Sequence, residues 1–178
     1  EVVQFREYLA RGADVHAAPL AGEAPEDYVT RTACCKAEAG WSCLVQRRLR
    51  RFPVLAADTT VALEGKIIGK PINRDHVVAM LSELSGREHC VLTAVALKLE
   101  DKMGLGLSTT LVRVKQLAEQ EIRHYAATSE ALDKAGGYAI QGLAAAFVAG
   151  IDGSYSGVMG LPLFETAQLL REFGYSVL

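Results

Sequence analysis

The chain has 178 residues, half of them hydrophobic and 22% charged, a composition that folds rather than stays disordered. Lys and Arg number 19 against 21 Asp and Glu, a net charge of -2, so no global basic excess points to nucleic acid and any anion site has to be built locally. No apolar run reaches membrane-span length and the opening EVVQFREYLARG carries no leader pattern, so a cytoplasmic protein with no membrane partner is expected.

Pro25, Glu26 and Asp27 suit a helix's first turn and Gly40 suits its stop, which predicts a helix over 25–40. Tyr28, Val29, Ala33 and Ala37 fall on one stripe of it, with Lys36 at the border. Cys34, Cys35, Cys43 and Cys90 show no CxxC spacing and no clustered histidines, and read as free thiols. The RRLRR run, Arg47 to Arg51, reads as a solvated loop or helix face, with a nucleic-acid patch the weaker alternative.

Pro53 opens an apolar strand, FPVLAA, that ends on Asp58. TVALEGKIIG then alternates and reverses at Glu64–Gly65, as a hairpin does. Asn73 is placed to cap a helix carrying Val77, Leu81 and Leu84 at helical spacing, with Gly86 closing it. HCVLTAVALKLE and GLGLSTTLVRVK read as neighbouring antiparallel strands joined through 101–103, and EQEIRHYAAT as a short amphipathic helix from Glu119. AGGYAIQGLAAAFVAGIDGSYSGVMG reads as loop, strand, turn, strand. Pro162 starts a last helix with an apolar face of Phe164, Ala167, Leu170 and Phe173, stopped by Gly174. With no internal repeat, these elements predict one α/β domain over residues 1–178, a mixed, largely antiparallel sheet flanked by helices.

Three stretches could carry chemistry. Asp58, among small and polar residues past a strand, can take a proton from water, hold a divalent metal, or simply cap a turn. GKIIGKP has three residues between its glycines and proline where a phosphate loop has Ser or Thr, so Lys70 is either a positioned cation without that loop or a solvent-facing turn lysine. In DKAGGYAIQG, Gly136 and Gly137 permit close backbone approach to a ligand and Gln141 offers both donor and acceptor; the plainer reading is a glycine turn with a surface amide. MGLGLS lacks the third glycine of a dinucleotide fingerprint, and His16, His76, His89 and His124 have no ligand spacing.

ADTTVALEGKIIGKP, LSGREHCVLTAVAL, DKAGGYAIQGLAAAFV and IDGSYSGVMGLPLFET, with EAPEDYVTRTACCKA before them, resemble in order and spacing the signature segments of the Maf family. These are nucleoside triphosphate pyrophosphatases also discussed as inhibitors of septum formation. The resemblance implies an α/β fold related to inosine triphosphate pyrophosphatases, with a mixed sheet bent around a deep cleft, often as a homodimer. It implies hydrolysis between the α- and β-phosphates with a divalent cation, Mg or Mn. Carried over, Asp58 matches the proton acceptor and a metal-binding position, Lys36 and Lys70 the lysines facing the phosphates, and Thr59 and Gln141 the positions linked to base choice. Thr59 and Gln141 resemble the branch that takes dTTP and UTP rather than the one, with ADQ and a glutamate, that takes 7-methyl-GTP. An amide suits this, since it can accept from the N3–H of uracil or thymine and donate to a ring carbonyl.

Two departures stand against the pattern. The family opens with a strand and a Ser-Pro-Arg-Arg loop that grips the triphosphate, and no SPRR occurs here, so that loop is expected to be missing or altered. The family's Asp-Glu before the proline matching Pro19 is His16 and Ala17 in this chain, with Glu23 nearby but in the next segment. These departures motivate an alternative: a catalytically impaired nucleotide- or partner-binding protein acting in septum control.

Overall fold

The computed structural model describes residues 18–177, so His16 and Ala17 lie outside the described residues. The element order is α1 (Pro25–Gln46), β1 (Val54–Leu63), β2 (Lys66–Ile68), α2 (Arg74–Leu84), β3 (Glu88–Leu99), β4 (Lys102–Val114), α3 (Glu119–Ala127), β5 (Val148–Asp152), α4 (Tyr155–Val158) and α5 (Leu163–Glu172). The strands form one sheet in the order β2-β1-β3-β4-β5. Every pairing among the described residues is antiparallel, which agrees with a largely antiparallel α/β sheet.

The long strands β3 and β4 are rich in Val, Leu and Thr and are joined by a tight turn at Glu100–Asp101, so their pairing runs without interruption from Glu88↔Arg113 to Leu99↔Lys102. Glu64 at φ 50° and Gly65 at φ 78° make the left-handed two-residue turn between β1 and β2. The Asn73 side chain caps α2 by accepting from His76 N at 2.8 Å, as its sequence position predicts.

Side chains alternate between the two faces of the sheet. Ala62, Leu92, Ala94 and Ala96 meet Val29, Ala33 and Ala37 of α1 on one face. On the other, Val61, Leu63, Val91, Val112 and Val114 meet α2 and α3, while Val95 and Leu97 meet Leu169 and Leu170 of α5. The glycines of MGLGLS serve this second packing: a Cβ on Gly104 would lie 2.7 Å from the Phe173 ring, so α5 sits closer to β4 than any side chain there would allow.

Several elements differ from the sequence reading, each for a physical reason. The first helix does not stop at Gly40 but runs on to Gln46. Gly40 is a contact residue, since a Cβ there would come within 2.8 Å of Val54 Cγ1 on β1. Asp58 does not follow a strand; β1 continues through it because Thr59 to Ala62 keep pairing with β3. The segment 135–160, expected as loop, strand, turn, strand, holds 3₁₀ turns at Ala135–Gly137 and Leu143–Phe147 before its strand β5, and the short helix α4 stands where the last strand was expected. On α5 the buried residues are Thr166, Leu169 and Leu170, while Phe164 is exposed.

Gly40→Ala sets a helix-propensity gain of about 1 kcal/mol against overpacking of about 1–3 kcal/mol on a β-branched neighbour. A net stability loss is expected in urea unfolding, and it should shrink by about 1 kcal/mol in a Val54→Ala background. Equal losses in both backgrounds would mean that helix and strand do not touch there.

Candidate active site

The register of β1 decides where the site lies. β2 pairs with β1 only from Val61 to Leu63, so among the described residues Val54 to Thr60 have a strand neighbour on the β3 side alone. The other edge of that stretch opens into a cleft of about 270 Å³. All five side chains singled out from the sequence, Lys36, Asp58, Thr59, Lys70 and Gln141, line it.

Asp58 points toward the α1 side of the sheet. It is buried, 8% exposed, and an isolated carboxylate there would lose most of its hydration. Lys36, reaching from the border of the α1 stripe, answers this: its Nζ lies 2.5 Å from Asp58 Oδ1 and donates to Ala57 O at 3.3 Å. The lysine thereby satisfies both a buried charge and a backbone carbonyl on the open strand edge. Lys70 stands exposed on the cleft rim, held by the buried Pro71 behind it.

A glycine loop closes the opposite wall. Gly136 N donates to Gly69 O at 3.0 Å, which ties DKAGG to the residue before Lys70. Gly136 has φ 72°, and a Cβ on it would press to 3.0 Å from Val61, so both backbone and space require glycine. Asp133 and Lys134, 2.8 Å apart, stand at this wall. The Lys134 ammonium, with desolvation opposing and Lys70 adding a smaller share, holds the Asp133 carboxyl below its usual range. Sequence reasoning quoted DKAGG for its glycines and missed Lys134 as a third cleft cation; the signal was the lysine immediately before the glycine turn.

The segment bearing Gln141 is clamped from behind. Glu130 accepts from Leu143 N at 3.0 Å and from the Tyr125 hydroxyl at 2.9 Å, and that hydroxyl in turn accepts from Ala139 N at 3.1 Å. Gly142 leaves room for this clamp, because a Cβ would meet the Glu130 carboxylate at 2.3 Å and push it aside. Tyr138, a further lining residue that the sequence did not single out, reaches through to β3, where its hydroxyl lies 2.8 Å from His89 Nε2. His89 is 2% exposed, its Nδ1 has no partner among the described residues, and burial pushes its pKa down to about 4.

A band of hydroxyls supports the third wall. Thr59, Thr93 and Ser108 stand opposite one another across β1, β3 and β4. Thr93 Oγ1 donates to Gly157 O at 2.7 Å, and Thr110 Oγ1 donates to Ser154 O at 3.3 Å and accepts from Ser154 N at 2.9 Å. These bonds seat the turn 153–160, whose Met159 and Gly160 complete the cleft.

Glu23, the carboxylate nearest the departing N-terminal pattern, is a brace. Arg31 donates to it twice at 2.7 Å, Leu20 N adds a third bond at 2.9 Å, and together these draw its pKa down to about 2. Among the described residues no group of three His, Cys, Asp or Glu side chains forms a metal cage. Two carboxylates line the cleft, Asp58 and Asp133, and a magnesium ion that arrives on phosphate oxygens needs only one or two protein carboxylates. The cysteines are free, as expected, and no described helix is long and apolar enough to cross a membrane.

The His89 shift makes a pH prediction. A histidine with a folded pKa near 4 and an unfolded one near 6.5 binds its proton more readily in the unfolded chain. Its contribution is therefore complete above about pH 6.5 and is lost as pH falls toward 4, by up to roughly 3 kcal/mol. Glu23 acts in a lower window, losing its contribution as pH falls from 4.5 toward 2. Urea midpoints between pH 7 and pH 4.5 should fall more steeply in the parent than in His89→Gln, and parallel curves would show that His89 does not titrate out of the fold.

Over nearly its whole length the chain is similar to known proteins. A family model described as "Maf-like protein" matches residues 2–173. The chain is 56% identical over 176 residues to the dTTP/UTP pyrophosphatase of Nitrosomonas europaea, an alignment covering 99% of this chain and 85% of that one. It is 54% identical over 171 residues to the protein of the same name from Nitrosospira multiformis, covering 96% and 83%. The dTTP/UTP pyrophosphatase of Dechloromonas aromatica is 43% identical over 175 residues, covering 98% and 87%.

Proposed function

The chain belongs to the Maf-like family, and we propose that its cleft hydrolyses dTTP and UTP to the monophosphate and pyrophosphate. The observation that carries this reading is the Lys36–Asp58 pair, a carboxylate and an ammonium 2.5 Å apart on an open strand edge, with Lys70 on the rim of the same cleft.

In this reading Asp58 orients and deprotonates the attacking water. Lys36 engages Oδ1, which leaves the other carboxylate oxygen to take the proton. Lys36 also holds its ammonium where phosphate oxygens can share it, so negative charge building on the α-phosphate meets a donor already in place. Lys70 and Lys134, on the rim and the opposite wall, stand where the departing pyrophosphate needs cations. A divalent metal ion, Mg or Mn, would be held by Asp58 together with the substrate's own phosphates, and would supply Lewis-acid polarisation of the phosphoryl oxygens. Met159, Val61 and Val91 offer apolar walls to a base, while Thr59 and Gln141 offer its polar contacts. This makes a triphosphate with a pyrimidine base the substrate class.

Pyrophosphate release from a panel of nucleoside triphosphates, with magnesium or manganese, tests the reading. dTTP and UTP should be preferred, and Asp58→Asn should lower kcat about 10²–10⁴-fold with nucleotide binding retained. Calorimetric affinity for dTTP with no pyrophosphate released would instead identify a binding protein.

A further inference from the structure

Thr93 lies at the centre of β3 and is wholly buried. Its Oγ1 has two neighbours, Gly157 O at 2.7 Å and Thr59 Oγ1 at 2.9 Å. A carbonyl oxygen can only accept, and a threonine hydroxyl has one proton. The Thr93 proton is therefore committed to Gly157. At 2.9 Å, two hydroxyl oxygens with no proton between them would repel, so the proton on that second contact belongs to Thr59. Thr59 thus donates inward, and only its lone pairs remain for the cleft it lines.

We propose that Thr93 is a positioning residue that fixes Thr59 as an obligatory acceptor, so that the cleft selects bases carrying an imide N–H. Uracil and thymine present that proton at N3. Cytosine presents a lone pair at the same position, which would face the lone pairs of Thr59. Gly160 lies beside this hydroxyl and leaves it open to the cleft, since a Cβ there would come into contact with Thr59 Oγ1 at 3.4 Å. The chain of hydroxyls is anchored at a backbone carbonyl of the turn that completes the cleft, so the polarity is set by the fold and not by the nucleotide. A site polarised in this way leaves a buried acceptor unpaired when the wrong base enters, which discriminates more sharply than apolar shape. This rests on the pyrimidine reading above and names how the same cleft would enforce it.

The experiment compares kcat/KM for UTP and CTP in the parent, Thr93→Val and Thr93→Ser. Valine keeps the shape and β-branching but frees the Thr59 proton to turn toward the cleft, so the UTP-to-CTP ratio should fall about tenfold. Serine restores the relay and should hold the ratio within about twofold of the parent. An unchanged ratio in Thr93→Val, or equal drops in both variants, would overturn the proposal, because packing alone would lower both substrates together. A parent that turns over UTP and CTP equally would also overturn the proposal while leaving the pyrimidine reading standing. A parent that releases pyrophosphate as readily from ATP or GTP would overturn that reading, so the two failures are told apart by the parent's own substrate panel. If Thr93→Val does not fold by circular dichroism, Thr93→Cys serves instead: its thiol relays weakly, so the ratio should again fall, and an unchanged ratio overturns the proposal.

Discussion

A carboxylate buried in the middle of a strand is the constraint around which this molecule is arranged. Asp58 cannot be left without a compensating charge, and the compensation has to come from a different element, because its neighbours on β1 are alanine and threonine. Lys36 supplies it from α1, and this fixes how α1 must lie. The helix needs a small-residue stripe to approach the sheet closely enough for a lysine at the stripe's border to reach around to the strand edge. Val29, Ala33 and Ala37 provide that stripe, and Gly40 continues it where the helix passes Val54. The alanines facing them from β1 and β3, Ala62, Ala94 and Ala96, are the other half of the same close approach. An α1 face of leucines would bury more area and would also carry Lys36 out of range of Asp58.

The other walls of the cleft depend on backbone, and the glycines mark where. Gly136 lets the DKAGG turn touch Val61 and bond to Gly69, so Lys70 and Lys134 come from segments that are held to each other. Gly142 lets Glu130 grip the chain beside Gln141. Gly157 lies so close to β4 that a Cβ would meet Ser108 Oγ at 2.9 Å. Each is a place where a side chain would move a wall of the cleft, and the polar clamps behind them, Glu130 with Tyr125 and Thr93 with Thr110, hold those walls still. Preorganisation of this kind matters for a phosphoryl reaction, in which the protein's task is largely to hold charges in position.

The long strands, the hairpin at Glu64–Gly65 and the capped helix α2 were legible in the sequence, because alternation, paired turn residues and an Asn cap are local signals. Five of the side chains that line the cleft were legible as well, through the resemblance of whole segments and through the oddity of one acid after an apolar run. What was not legible depends on contacts between distant segments. Gly40 looks like a helix stop until Val54 is seen behind it, and SYSGVMG looks like a strand until Thr93 and Thr110 are seen holding it as a helical turn. Phe164 has the spacing of a buried residue on α5, but the helix turns Thr166, Leu169 and Leu170 to the sheet, where Gly104 and Gly106 leave room. Lys134 was overlooked because a lysine beside an aspartate resembles an ordinary surface pair.

That pair changes meaning once the cleft is seen whole. The chain is net negative, so a polyanion approaching it from solvent meets mild repulsion on average. Within the cleft, the three lysines Lys36, Lys70 and Lys134 outnumber Asp58 and Asp133. The two aspartates are not placed alike. Asp58 is buried against Lys36, whereas Asp133 is largely exposed beside Lys134 and can turn away into solvent as a phosphate arrives. Lys134 can thus exchange a solvated partner for a phosphate oxygen at little cost, while Lys36 stays paired with the buried Asp58. A site with every lysine unpaired would repel itself when empty, and one with every lysine locked in a buried pair would have nothing to offer a phosphate. Pairing one ammonium inside and leaving the others at the rim avoids both, and it does so with charges drawn from three separate segments that the glycine turns bring together.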